Sequence, residues 1–168
     1  MTIRPRREQI EQLLKTNKAR LIRDSWVGHL IQATGALATD LSFVDVQVTL
    51  GLKVAFFEKL KSGRVDFHRY WPREKFADIL DLLSPLTLPD QKMVLFSSVD
   101  EYLGAVQLPI RLVLNNVAAV WRVVEQDLCV ISDGGQSGLC LEENYYDSEG
   151  TYIKEGIYEL TAWGSLQP

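Results

Sequence analysis

Two short apolar runs flanking a glycine-rich turn, DLCVIS (127–132) and GLCLE (138–142), constrain this chain more than any other feature. Apolar runs separated by Asp-Gly-Gly-Gln read as an antiparallel hairpin. A hairpin alone is marginal in water, so it must join a larger sheet or pack under helices. If a two-residue turn centres on Gly134 and Gly135, Cys129 faces Cys140 across the ladder, whereas a longer loop over DGGQSG (133–138) would shift that register. The two thiols are then expected to be packed neighbours, reduced in a cytosolic compartment. Two cysteines are too few for a disulfide framework, and with only His29 and His68 beside them they make a poor zinc set.

The chain continues in the same pattern after that hairpin. TYI (151–153) and IYELTAW (157–163) flank Lys154-Glu155-Gly156, which reads as a three-residue hairpin loop. In the last strand Tyr158, Leu160 and Ala162 share one face, and Glu159 and Thr161 share the other. Upstream the spacing turns helical. Ile10, Leu13 and Leu14, then Ile22, Trp26, Leu30 and Ala33 after a TNK interruption, fit amphipathic helices. Residues 43–54 fit either period, and the Lys59-Leu60-Lys61-Ser62-Gly63 ending favours a helix. Pro72 opens a stripe of Phe76, Ile79, Leu80 and Leu83. KMVLFSS (92–98) reads as a strand, Ser98 and Glu101 have capping-box spacing, and a long helix carries Ile110, Val113, Leu114, Val117, Trp121 and Val124. The expected fold class is α+β, with N-terminal amphipathic helices packed on a C-terminal antiparallel sheet of β-hairpins. One domain, 1–168, is expected, helical over 1–90 and mixed with antiparallel sheet over 91–168.

A chain of this length buries roughly 70% of the surface its unfolded form exposes, enough for one good core. Lys53, Arg111 and Arg122 interrupt the most hydrophobic stretches, so no membrane span is expected. Glu8 and Glu11 stand where a signal peptide would place its apolar centre, which points to a cytoplasmic protein. The net charge of −4 hides an asymmetry: the first 75 residues carry fourteen basic and eight acidic side chains, the remainder four and fourteen. The halves have opposite sign.

No catalytic signature stands out. Gly134, Gly135 and Gly138 lack the Gly-Lys-Ser/Thr ending of a phosphate loop. Aligning Gly150 with the glycine of a calcium loop puts Tyr145 and Gly156 where ligands belong, so neither metal nor cofactor is expected. His68 could act as a general base if Asp66 oriented it, but no nucleophile accompanies it. Arg7, Lys15, Lys18, Arg20 and Arg23 could offer nucleic acid a basic helical face, though no aromatic residues alternate with them to stack on bases. Between Glu125 and Glu159 acids crowd the chain with Lys154 as their only cation. Such a field repels nucleic acid and attracts basic partners. Glu142, Glu143, Tyr145, Tyr146, Asp147 and Glu149 are therefore the candidate partner-binding residues, the tyrosines supplying contact area.

MVLFSSVDEYLGAV (93–106), DLCVISDGGQSGLCLEENYYD (127–147) and IYELTAWG (157–164) together resemble small immunity proteins of bacterial polymorphic-toxin and contact-dependent inhibition systems. The resemblance covers residues 93 to 164 at most and rests on strand and turn patterns. It implies a non-enzymatic protein that binds one cognate toxin domain, in many systems a basic nuclease, and occludes its active site or substrate surface. Two rival expectations come from other classes: a small hydrolase or transferase using His68 and Asp66, and a nucleic-acid-associated adaptor using the basic N-terminal half.

Overall fold

The computed structural model describes residues 6–84, 91–125, 127–146 and 149–168. Among these residues seven strands form one antiparallel sheet: β1 (Ser42–Phe43), β2 (Phe67–Pro72), β3 (Lys92–Leu95), β4 (Val106–Pro109), β5 (Leu128–Ile131), β6 (Gly138–Tyr146) and β7 (Tyr152–Trp163). Their spatial order is β1-β4-β3-β5-β6-β7-β2. The helices are α1 (Arg6–Thr34), α2 (Val46–Lys61), α3 (Phe76–Leu83), α4 (Asp100–Leu103), α5 (Ile110–Leu114) and α6 (Val117–Val124). The protein is α+β. The sheet also draws β1 and β2 from the first ninety residues, a stretch that helical spacing alone assigns to helices.

Around the glycine turn the register puts Cys129 opposite Cys140, as a reversal centred on Gly134 and Gly135 requires. The loop is wider than two residues, because the Ser132 N–H donates to the Ser137 carbonyl at 2.9 Å and leaves four residues outside the ladder. A four-residue loop about the same centre preserves the pairing. The second hairpin differs from expectation: β7 runs unbroken through Lys154-Glu155-Gly156. Gly156 does take a left-handed φ of 77°. It serves as a bulge, where the register slips between Asn144 and Tyr146, and not as a turn.

The helical segments also depart from their spacing. TNK does not interrupt α1, and only its second half docks. Leu30 is fully buried and the Trp26 indole N–H donates to the Val123 carbonyl at 3.1 Å, whereas Ile10, Leu13, Leu14 and Leu21 stay exposed. Residues 46–61 resolve as helix α2 because Asp45 caps it, accepting from the N–H groups of Gln47 (2.8 Å) and Val48 (3.4 Å). The long helix expected after Pro109 breaks at Asn115-Asn116. There the Asn116 amide donates to the carbonyls of Leu112 (3.0 Å) and Thr34 (3.3 Å). A short 3-10 turn, Arg73–Lys75, separates Pro72 from α3. The turn before α4 is closed one residue earlier than Ser98 and Glu101 suggest: Asp100 accepts from the Ser97 N–H (3.0 Å) and hydroxyl (2.7 Å).

Alternation along the strands divides the core in two. On one face Met93, Leu95, Leu128, Val130, Leu139, Leu141, Leu160 and Ala162 lie under Trp26 and Leu30 of α1, Ile79 and Leu83 of α3, and the apolar sides of α5 and α6. On the other face Val94, Phe96, Cys129, Ile131, Cys140 and Trp163 pack against Phe56, Leu52 and Leu60 of α2. Phe56 is fully buried, with ring centroids 5.5 Å from Phe96 and 5.4 Å from Trp163. Lys53 of the same helix reaches the buried Asp100 at 3.0 Å, which gives that desolvated carboxylate its counter-charge.

Candidate functional site

The second face changes character one row beyond the cysteines. Cys140 pairs with Thr161 and Thr161 with His68; Glu142 pairs with Glu159 and Glu159 with Tyr70; Asn144 pairs with Ile157. Side chains two apart on a strand share a face, so Glu142, Asn144, Glu159, His68 and Tyr70 continue the face that carries Cys140, and Asp127 continues the one that carries Cys129. The apolar residues of α2 lie against the Cys129, Cys140 and Trp163 end. The adjoining rows form a polar surface whose carboxylates are half-buried, Asp127, Glu142 and Glu159, backed by aromatic and amide groups.

Glu159 organises this surface. One oxygen lies 2.6 Å from His68 Nε2 and the other accepts from the Asn144 amide at 2.6 Å. The His68 ring meets Tyr70 edge-on at 4.9 Å. Glu142 titrates above the usual carboxylate range, first because burial disfavours its charge, then because Asp127 and Glu159 repel it; a hydrogen bond from Cys140 and the nearby His68 work the other way. Asp127 is raised too, mainly by burial, against the help of the Glu143 backbone. Carboxylates crowded and desolvated in this way gain by meeting a cation. The neighbouring Cys140 thiol is buried and pushed well up by its bond to Cys129 and by desolvation, which makes it a poor nucleophile as it stands.

Of the six residues singled out from sequence, the five that are described do not share one face. Glu142 belongs to the acidic face, but Glu143 points to the opposite face, where Arg73 NH2 stands 3.0 Å from its carboxylate. Arg73 also hydrogen-bonds Tyr158, and both contacts raise its pKa. Tyr145 and Glu143 both lie beside Gly156, Tyr146 stacks edge-on with Tyr152 at 5.6 Å, and Glu149 is exposed near the tip of the hairpin. Asp147 lies outside the described residues. Asp66 does not orient His68, since its carboxylate accepts the Gly164 N–H at 2.7 Å and Glu159 takes that place.

Sequence reasoning missed Asp127, Glu159, Tyr70 and Asn144 as members of one surface. The signal was the alternation in FHRYWP, which marks an edge strand and brings His68 and Tyr70 to β7. Grooves lie elsewhere: one of about 840 Å³ between α1 and α6, lined by Trp26, His29 and Arg122 among others, one of about 540 Å³ between α1 and α4 at Lys18 and Tyr102, and one of about 390 Å³ over Phe76, Trp121 and Tyr158. Among the described residues no group of three or more His, Cys, Asp or Glu side chains is arranged to hold a metal ion, and no helix is long and apolar enough to cross a membrane. No protein-family model matches this chain, and a search of curated proteins finds no relative.

Proposed function

We propose that this chain is a non-enzymatic binding protein that receives a cationic surface of a partner protein on the acidic face of its sheet. Its immunity-like strand and turn patterns make a toxin domain with a basic active site or substrate surface the partner, neutralised in the cytoplasm by occlusion. The observation that carries this reading is the gathering of Asp127, Glu142 and Glu159 on one polar stretch of sheet, crowded enough that two of them hold protons more tightly than usual. An arginine or lysine relieves that repulsion by supplying a counter-charge. The exposed Tyr145, Tyr146 and Tyr152 at the end of the β6–β7 ribbon supply apolar contact area with polar tips.

The test looks for a toxin domain in the adjacent upstream reading frame and, with that domain as the partner, follows association by stopped flow at low salt. Asp127→Asn, Glu142→Gln and Glu159→Gln combined should slow association about tenfold and flatten its salt dependence. An unchanged rate would remove the acidic face from the proposal. An enzymatic reading is favoured by one contact, the 2.6 Å pair of His68 and Glu159, which could hold an imidazole as general base. It requires a measurable activity that His68→Ala abolishes.

A further inference from the structure

Cys129 and Cys140 are the chain's only cysteines, and both are buried. They face each other directly, with sulfur atoms 3.1 Å apart. The ladder fixes what kind of pair this is. The Ser132–Ser137 pair is hydrogen-bonded, so strict alternation leaves Ile131–Gly138 open, Val130–Leu139 bonded and Cys129–Cys140 open. The Cys129 carbonyl confirms the phase, because it accepts the Phe96 N–H of β3 at 3.0 Å and points away from β6. At such a position the two Cα atoms stand roughly 4.5 Å apart and the side chains lean together. That is within the roughly 4.4–6.8 Å that a disulfide spans. Closure needs the sulfurs to approach by only about 1 Å, with no change of register.

We propose that Cys129 and Cys140 form an oxidation site, which a small hydroperoxide converts from a thiol pair into a cross-strand disulfide that clamps β5 to β6. Cys129, the more exposed of the two, attacks the peroxide: its sulfur bonds to one oxygen, the O–O bond breaks, and the departing oxygen leaves as water with the thiol proton. Cys140 then attacks the resulting sulfenic sulfur, the S–O bond breaks, and a second water carries off the oxygen and the Cys140 proton. Two thiols and one hydrogen peroxide thus give one disulfide and two waters. Burial beneath Phe56 and Trp163 makes the reaction slow, a response to sustained peroxide. The closed clamp lies one row from Glu142 and removes the thiol that hydrogen-bonds it.

The test treats the reduced full-length chain with hydrogen peroxide under native conditions, followed by alkylation in denaturant and intact-mass analysis. The folded monomer should lose the mass of two hydrogens, give one Cys129–Cys140 linked peptide, and melt roughly 5–10 °C higher than the reduced form. A dithiol reductant should reverse all three changes. Cys129→Ala and Cys140→Ala should each keep the remaining thiol and form no intramolecular bond. Two alkylatable thiols after prolonged peroxide, or sulfinic acid or intermolecular dimer as the main product of the native chain, would overturn the proposal. Because the native chain alone decides the matter, poor folding of either variant does not obscure the result.

Discussion

Glu142 sits among Asp127, Glu159, His68, Tyr70 and Cys140, and its environment makes protonation easier in the folded chain than in the unfolded one. The same holds for Asp127. A carboxyl whose folded pKa is raised contributes stability below its unfolded value, and that contribution is lost as pH rises through the folded value. Glu142→Gln removes both the repulsion and the titration. Urea unfolding at about pH 4 and about pH 7 should therefore show a smaller fall in stability for the variant than for the native chain, with the variant the more stable at the higher pH. Equal slopes would mean that the carboxylates are not crowded as drawn. A second single residue tests the frame. Gly104 has φ 73°, and a methyl group there would lie 1.8 Å from the Val44 carbonyl oxygen. Gly104→Ala should cost about 2–5 kcal/mol of unfolding free energy, read by denaturant titration, from left-handed strain plus a backbone clash at the β1–β4 edge.

At the scale of elements, α2 is held to the sheet by a small set of contacts, of which Phe56 is the largest apolar one. Truncating it by Phe56→Ala should cost about 3–5 kcal/mol and speed alkylation of Cys129 and Cys140 in the native state, since the same side chain covers that end of the sheet. A stability loss without faster alkylation would show that α2 does not guard the thiols. The elements also show what a single sequence discloses. The β5–β6 register was readable because a turn centre and strict alternation fix it, and a four-residue loop has the same centre as a two-residue one. Gly156 announced its left-handed backbone, but a bulge and a turn both require that conformation, and only the slip of register between Asn144 and Tyr146 on the neighbouring strand distinguishes them. Residues 43–54 carried both periods, and the cap at Asp45 settled those from Val46 onward as helix. The strand Phe67–Pro72 was hidden because its alternation is short and broken by charge: Arg69 stands between Phe67 and Trp71 on one face, and both Arg69 and its neighbour His68 are exposed on an edge strand. With β2 unseen, the acidic face could not be assembled; that Glu142 and Glu143 point to opposite faces was readable from their adjacency on a strand, but which of the two faces gathers further acids was not.

Across the whole molecule the opposite charges of the two halves partly cancel within the fold. Lys53 pairs with Asp100, His68 with Glu159 and Arg73 with Glu143, each joining a cation or titratable ring from the first 75 residues to an acid from the remainder. The ribbon's acids are thus not a uniform field: Glu143 is met by an arginine, while Asp127 and Glu142 lie beside one another and near Glu159 on the polar stretch of sheet. That arrangement predicts how binding of a simple cation responds to acid. As pH falls from about 7 to about 5, Glu142 and Asp127 take up protons earlier than ordinary carboxylates would. Both changes lower the negative potential of the face. Affinity for a lysine oligomer, measured by calorimetry at constant low ionic strength, should accordingly weaken over that interval. Asp127→Asn with Glu142→Gln should bind weakly at both ends and lose most of the pH dependence, while Glu149→Gln at the ribbon tip should retain it. Native affinity that stays level across the interval would place the cation somewhere other than this face.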